Sequence, residues 1–263
     1  VVKAGTSLLT GGTDELDRDM IGDIVKQISL LHSEGLEMLL VTSGAVAAGK
    51  GVYLRHLPNG NVLPSKQILA AIGQSRLMQI YEEEFNGYGI PTAQALLSHR
   101  DVYDRIGYLN LRSTLSGLLE HRIVPVINEN DVVAIDELSD RIFGDNDNLS
   151  ALIANLVDAD LLLILGTVRG MYTKDPNLHE DAEIVPVVKK VDESIDLLGG
   201  PSSDDIGRGG MITKLEAARL ATVSGVDVVI ASGLEAGAIN RVASGENLGT
   251  LFESSVSLSL IHI

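Results

Sequence analysis

Phe143-Gly144-Asp145-Asn146-Asp147-Asn148-Leu149-Ser150 packs two carboxylates and two carboxamides into four consecutive positions beside a glycine. Residues 149–156 then carry apolar side chains at helical spacing, and Asp160-Leu161-Leu162-Leu163-Ile164-Leu165 reads as a fully buried strand. The polar cluster therefore sits where a loop becomes a helix. Asp and Asn are favoured there because their side chains accept hydrogen bonds from free helix N–H groups. One such residue satisfies a cap, and four in a row exceed what capping needs. Two readings stand: a capped loop, or a site at a helix N-terminus that handles an anion or a substrate. A second cluster, Asn128-Glu129-Asn130-Asp131, follows the apolar run 123–127. Two polar clusters, each at an element end, point to a shared site.

Outward from there, strands and helices alternate. Val1-Val2-Lys3-Ala4-Gly5-Thr6-Ser7 starts as a β-branched strand and breaks at Gly5, leaving Lys3 beside small residues that suit phosphate oxygens. Helices are expected over 15–34, 64–86 (apolar face Ile68, Leu69, Ile72, Leu77, Ile80 and Tyr81), 101–120 (Leu109, Leu111, Leu115, Leu118 and Leu119) and 148–157. Strands are expected at 38–41, 91–97, 123–127, 160–165, 226–230 and 249–252, with a short excursion over 132–142 and irregular chain over 177–200. Gly207-Arg208-Gly209-Gly210-Met211-Ile212-Thr213-Lys214 opens one more helix, with Lys214 about one turn in, a geometry that fits nucleotide phosphates. Gly44-Ala45-Val46-Ala47-Ala48-Gly49-Lys50 has phosphate-loop spacing, but Gly51 stands where the metal-binding hydroxyl belongs and the middle residues are helix formers, so that reading is rejected. The pattern predicts one α/β domain over 1–253, a three-layer α/β/α sandwich around a mostly parallel sheet. Segments 3–7, 42–44, 128–131, 146–147 and 166–167 are then expected at the carboxyl ends of strands, on one edge.

Composition narrows the function classes. The 263 residues carry 20 Lys+Arg against 36 Asp+Glu, a formal charge of −16, which argues against general nucleic-acid binding. There is no cysteine, which removes disulfides and thiolate chemistry and fits a cytoplasmic location. No apolar run reaches the roughly 20 residues of a membrane span. Both ends read as incomplete. Leu258-Ser259-Leu260-Ile261-His262-Ile263 is what a common sequencing-library adapter encodes when translated, so 254–263 is expected to be a non-native tail.

Six blocks together resemble the glutamate 5-kinases of the amino-acid kinase family. They are Val2-Lys3-x-Gly5-Thr6-Ser7, Val41-Thr42-Ser43-Gly44-Ala45, Ser65-Lys66-Gln67, residues 126–131, residues 144–151 and Gly209-Gly210-Met211-x-Thr213-Lys214. The resemblance implies transfer of the ATP γ-phosphoryl group to the side-chain carboxylate of L-glutamate, the first step of proline synthesis, with Mg²⁺ riding on the nucleotide. It implies that Lys3 and Lys214 neutralise the transferring phosphoryl group and that Asp147 holds both lysines. It places glutamate on Ser43, Asp131 and Asn146. It places nucleotide on Lys3, Gly5, Gly44, Gly166, Thr167, Arg208, Gly209, Gly210, Met211, Ile212, Thr213 and Lys214. It further implies a homo-oligomer, dimer or tetramer, and feedback inhibition by proline. Departures are Gly166-Thr167 in place of a hydroxyl residue and Asp, Arg208 in place of a common Thr, and no C-terminal PUA domain. The alternatives are a kinase of the same family acting on aspartate, acetylglutamate, carbamate or a nucleoside monophosphate, or a non-catalytic regulator that binds an amino acid.

Overall fold

The structure is a computed structural model that describes residues 1–56, 63–133, 146–176, 178–191, 195 and 210–254. Chain contacts group into two compact units, Ala4–Asp140 (the amino-terminal unit) and Val1–Lys3 with Arg141–Ile263 (the carboxy-terminal unit). Eight strands and nine helices lie among the described residues, and the architecture is the expected α/β class with a mostly parallel sheet.

In the amino-terminal unit, β2 (Leu40–Val41) and β3 (Thr92–Leu97) each pair parallel with β4 (Val124–Glu129). Its helices are α1 (Thr6–Thr10), α2 (Arg18–Ser33), α3 (Ala45–His56), α4 (Lys66–Asn86), α5 (His99–Tyr103) and α6 (Arg105–Glu120). Asp17 starts α2 by accepting the Met20 N–H at 3.0 Å. From Ala45 onward the rejected phosphate loop is helix α3. All of 38–41 is buried, but only Leu40 and Val41 form the strand.

The single helix expected over 101–120 is two. Asp104 leaves the helical conformation, and its carboxylate accepts the Gly107 N–H at 2.9 Å to start α6. A Cβ on Gly107 would stand 2.6 Å from the Asp101 carbonyl oxygen, so this corner requires glycine. Two residues expected on apolar faces point to solvent instead, Ile68 at 53% exposure and Leu109 at 54%. Helical spacing identifies a stripe, but the neighbours decide which part of it is covered.

The tightest packing in this unit is between α3 and α4. A Cβ on Gly49 would lie 1.8 Å from the Leu69 carbonyl oxygen, and one on Gly73 would lie 1.9 Å from the Ala45 carbonyl oxygen and 2.2 Å from the Gly49 nitrogen. The two helices meet backbone to backbone, which only glycine permits. Behind β2, the Tyr81 phenol on α4 and the Thr42 hydroxyl share a hydrogen bond of 2.7 Å, both fully buried.

In the carboxy-terminal unit, β5 (Leu161–Gly166) pairs parallel with β7 (Asp227–Ser232), and the Leu163 N–H donates to the Val1 carbonyl next to β1 (Val2–Ala4). β8 (Thr250–Phe252) runs antiparallel to β7, and β6 (Val187–Val188) pairs parallel with β8. Strand β6 and a bridge between Tyr172 and Ile184 bring order to the segment expected to be irregular, and helix α9 (Ala238–Ala243) was not foreseen. Helices α7 (Asn146–Leu156) and α8 (Met211–Val223) cover this part of the sheet. Their alanines, Ala151 and Ala154 on α7 and Ala217, Ala218 and Ala221 on α8, join one core with Leu162, Ile164, Val228, Ile230 and Phe252. Apart from Val132 and Val133, the excursion over 132–142 lies outside the described residues, as does the tail from 255 onward.

Candidate active site

Helix α7 begins at Asn146, two residues earlier than its apolar spacing indicates, so Asp147 stands in a first helical turn and not in a loop. A carboxylate there is favoured by the helix dipole. Asp147 has 0% exposure, and burying it without partners would be prohibitive. Two lysines supply them. Lys3, in the buried strand β1, pairs with Oδ1. Lys214, in the first turn of α8, donates from Nζ to Oδ2 at 3.0 Å. The Thr213 hydroxyl lies 2.9 Å from the same Oδ2 and 2.9 Å from the Gly210 carbonyl oxygen. The structure thus brings together Lys3, Asp147, Thr213 and Lys214 from one strand and two helix starts.

Among the described residues, two ammonium groups meet one carboxylate here, inside a chain of formal charge −16. Lys3 and Lys214 are both buried, which strengthens their field relative to surface lysines. Burial pushes the Asp147 carboxyl up, and the two ammonium groups outweigh it, holding the group down at about 2. A carboxyl depressed in the folded state stabilises the fold above its ordinary value near 3.8, and that contribution is lost as pH falls toward 2. Between about pH 4 and pH 2, urea unfolding of the parent chain should therefore lose about 2 kcal/mol more than the same measurement on Asp147→Asn. Equal losses would show that Asp147 is not held ionised by its lysines.

Gly210 and Gly166, two of the positions expected to take nucleotide, border this cluster. Gly210 begins α8 with no side-chain cap, so among the described residues no capping side chain competes with a phosphate for the first-turn N–H groups. Gly166, at the end of β5, sits against Lys214, a Cβ there being 3.5 Å from Lys214 Cε. Thr167 follows and is exposed, its carbonyl accepting the Ser232 hydroxyl at 3.3 Å. Arg208 and Gly209 lie outside the described residues. Among the described residues no group of three or more His, Cys, Asp or Glu could hold a metal ion, and both Asp147 oxygens are engaged by lysines. These residues do not build a protein site for Mg²⁺.

The other expected positions belong to the amino-terminal unit, apart from Asn146, which precedes Asp147 and is half-buried. Ser43 is buried just past β2, and Gly44 has φ +100°, a conformation that turns the chain into α3. Gly5 precedes α1, its carbonyl accepting the Leu9 N–H at 3.1 Å. Asn128, the last residue but one of β4, is almost fully buried, and Asp131 lies half-buried in the turn beyond the strand. Two features escaped the sequence: the tie from Thr213 to Asp147, and the side chain of Gln74 on α4, which accepts a hydrogen bond from Asn128 at 2.8 Å. Only the position of Gln74 beside Gly73, at a glycine inside a helical pattern, could have marked it.

Residues 1–232 match the amino acid kinase family. The glutamate 5-kinase of Dehalococcoides mccartyi is 52% identical over 257 residues, covering 97% of this chain and 68% of that protein. The glutamate 5-kinase of Caldanaerobacter subterraneus is 47% identical over 96% of this chain and 67% of its own length, and that of Escherichia coli 46% over 98% and 69%. Among solved structures, the UMP kinase of Bacillus anthracis superposes with a TM-score of 0.65 at 16% identity, covering 98% of this chain and 96% of that one. Isopentenyl phosphate kinase from T. acidophilum gives 0.62 at 16% identity over 96% and 98%, so these two likenesses speak to the fold. The chain belongs to the amino acid kinase family, in its glutamate 5-kinase branch.

Proposed function

We propose that the chain transfers the γ-phosphoryl group of ATP to the side-chain carboxylate of L-glutamate. The observation that carries this reading is the buried carboxylate of Asp147 held between Lys3 and Lys214, in a chain 46–52% identical to proteins named glutamate 5-kinase. A carboxylate is already a nucleophile, so no general base is needed. One of its oxygens forms a bond to the γ-phosphorus, the bond from that phosphorus to the bridging β,γ-oxygen breaks, and ADP leaves with the electron pair. Phosphoryl transfer depends on positioning and charge neutralisation. Lys3 and Lys214 supply the charge, Asp147 fixes both ammonium groups, and the free N–H groups at the start of α8 take phosphate oxygens. Ser43, Asp131 and Asn146 hold the amino acid, Asp131 taking its ammonium group. Mg²⁺ carried on the nucleotide phosphates would neutralise part of their charge. The other kinases of the family are not favoured, because the curated relatives at this identity carry the glutamate 5-kinase name.

Trapping the acyl phosphate with hydroxylamine tests the reading. Glutamate-dependent and ATP-dependent hydroxamate formation is expected, and folded protein that forms none would overturn it. Lys214→Ala should lower turnover by about 10²-fold or more, the scale of losing one charge-stabilising group, without unfolding the chain. Near-normal turnover would remove Lys214 from the chemistry. The protein works in the cytoplasm, takes proline as a feedback inhibitor and assembles as a homo-oligomer. Ile106 at 70% exposure, with Tyr103 and Leu109 also exposed on α5 and α6, supports the last of these. No described helix is long and apolar enough to cross a membrane.

A further inference from the structure

Gln74 is locked in one orientation with nothing to donate to among the described residues. The Asn128 carboxamide is fixed first, because its Oδ1 accepts the Glu129 N–H at 2.9 Å and its Nδ2 must then face outward as a donor. Gln74 answers that donor with Oε1 at 2.8 Å, so its Nε2 points the other way. Nε2 is buried and has no hydrogen-bond partner among the described residues. A flip of the Gln74 amide would set two NH₂ groups against each other, so the orientation follows from the network. A buried donor left unpaired is costly, and native structures rarely keep one without a use.

Its place in the fold says what the donor is for. Gly73, the residue before it, touches the Ala45 carbonyl, and Ala45 follows Ser43-Gly44 directly. Asn128 is next in register after the Val41–Ile127 pair, and the Thr42 N–H donates to the Ile127 carbonyl at 2.8 Å. Gln74 is thereby tied to the carboxyl ends of both β2 and β4, where Ser43 and Asp131 lie. A group with two N–H donors and no acceptor complements an oxygen acceptor and rejects an ammonium group. We infer that Gln74 Nε2 is a specificity-determining donor to the α-carboxylate of the amino-acid substrate, the anionic end away from the transferred phosphoryl group. This rests on the reading that the substrate is glutamate.

The test is Gln74→Glu, which has the same shape and keeps an acceptor toward Asn128 but sets a second oxygen where the donor was. The KM for L-glutamate should rise roughly 10- to 100-fold, the loss of a hydrogen bond to a charged group, with the KM for ATP within about threefold. L-isoglutamine keeps the γ-carboxylate and carries an amide at the α position. Its disadvantage relative to glutamate should shrink at least about tenfold in the variant. The melting temperature without ligand should stay near that of the parent, and the upward shift on adding glutamate should be lost. A merely structural Gln74 predicts an unchanged KM in this variant, and that result would overturn the inference. So would a KM that rises equally for glutamate and isoglutamine. A parent protein with no glutamate-dependent turnover would take down the functional reading and this inference together, whereas an active parent with an unaltered variant overturns the inference alone.

Discussion

Replacing Asp147 with alanine is expected to cost the fold about 3–5 kcal/mol and turnover at least about 10²-fold. The first figure follows from burial. Asp147 has 0% exposure, and Lys3 and Lys214 are buried beside it, so removing the carboxylate takes away the partner that two buried ammonium groups share. Breaking a buried ion pair from one side costs far more than the pair contributes as a whole. The triple variant Lys3→Met, Asp147→Leu, Lys214→Met separates the two losses. With all three charges gone it should regain most of the stability, measured by urea unfolding, and stay inactive. A single variant as stable as the parent would mean that the lysines reach water or another anion when Asp147 is lost.

The second large effect is mechanical. Gly73→Ala should destabilise the chain by at least about 3 kcal/mol, the upper end of the range for overpacking, and lower the melting temperature by roughly 6–12 °C. The new methyl group would lie 1.9 Å from the Ala45 carbonyl oxygen and 2.2 Å from the Gly49 nitrogen. Both are backbone atoms, so no rotamer change relieves the clash and the helices must part. Gly49→Ala should behave alike, meeting the Leu69 carbonyl at 1.8 Å. Gly117 on α6 is the control. Nothing lies within 4 Å of a Cβ there, so Gly117→Ala should stabilise by about 0.5–1 kcal/mol through helix propensity. Thermal melts of the three variants decide it, and a harmless Gly73→Ala would show that α3 and α4 do not touch as described.

Much of this was legible in the sequence where the physics is local. The buried run at 160–165 became β5, the helix expected over 15–34 became α2, and the helix formers after Gly44 became α3. The corner at Asp104 was not legible, because the leucines that mark the helix all lie beyond it and only the Asp104 carboxylate on the Gly107 N–H shows the break. Ile68 and Leu109 were misplaced because periodicity describes a helix, whereas burial depends on what packs against it. Short elements such as β6 and α9 have too few residues to show a period. The pairing of Lys3 and Lys214 with Asp147 came from resemblance to a family, since charges so far apart in sequence cannot be paired by pattern. Gln74 was invisible for a further reason: its free donor exists only because a backbone N–H fixes Asn128.

The hydrogen bond between Tyr81 and Thr42 has a practical consequence. The chain has no tryptophan, and Tyr81 is the one fully buried tyrosine among the described residues. Its phenol touches the residue that immediately precedes Ser43, so anything that seats there and shifts Thr42 changes the polarity and hydrogen bonding of that ring. The molecule thus carries its own optical probe at this position, and tyrosine emission or ultraviolet difference spectra can follow occupancy without any label.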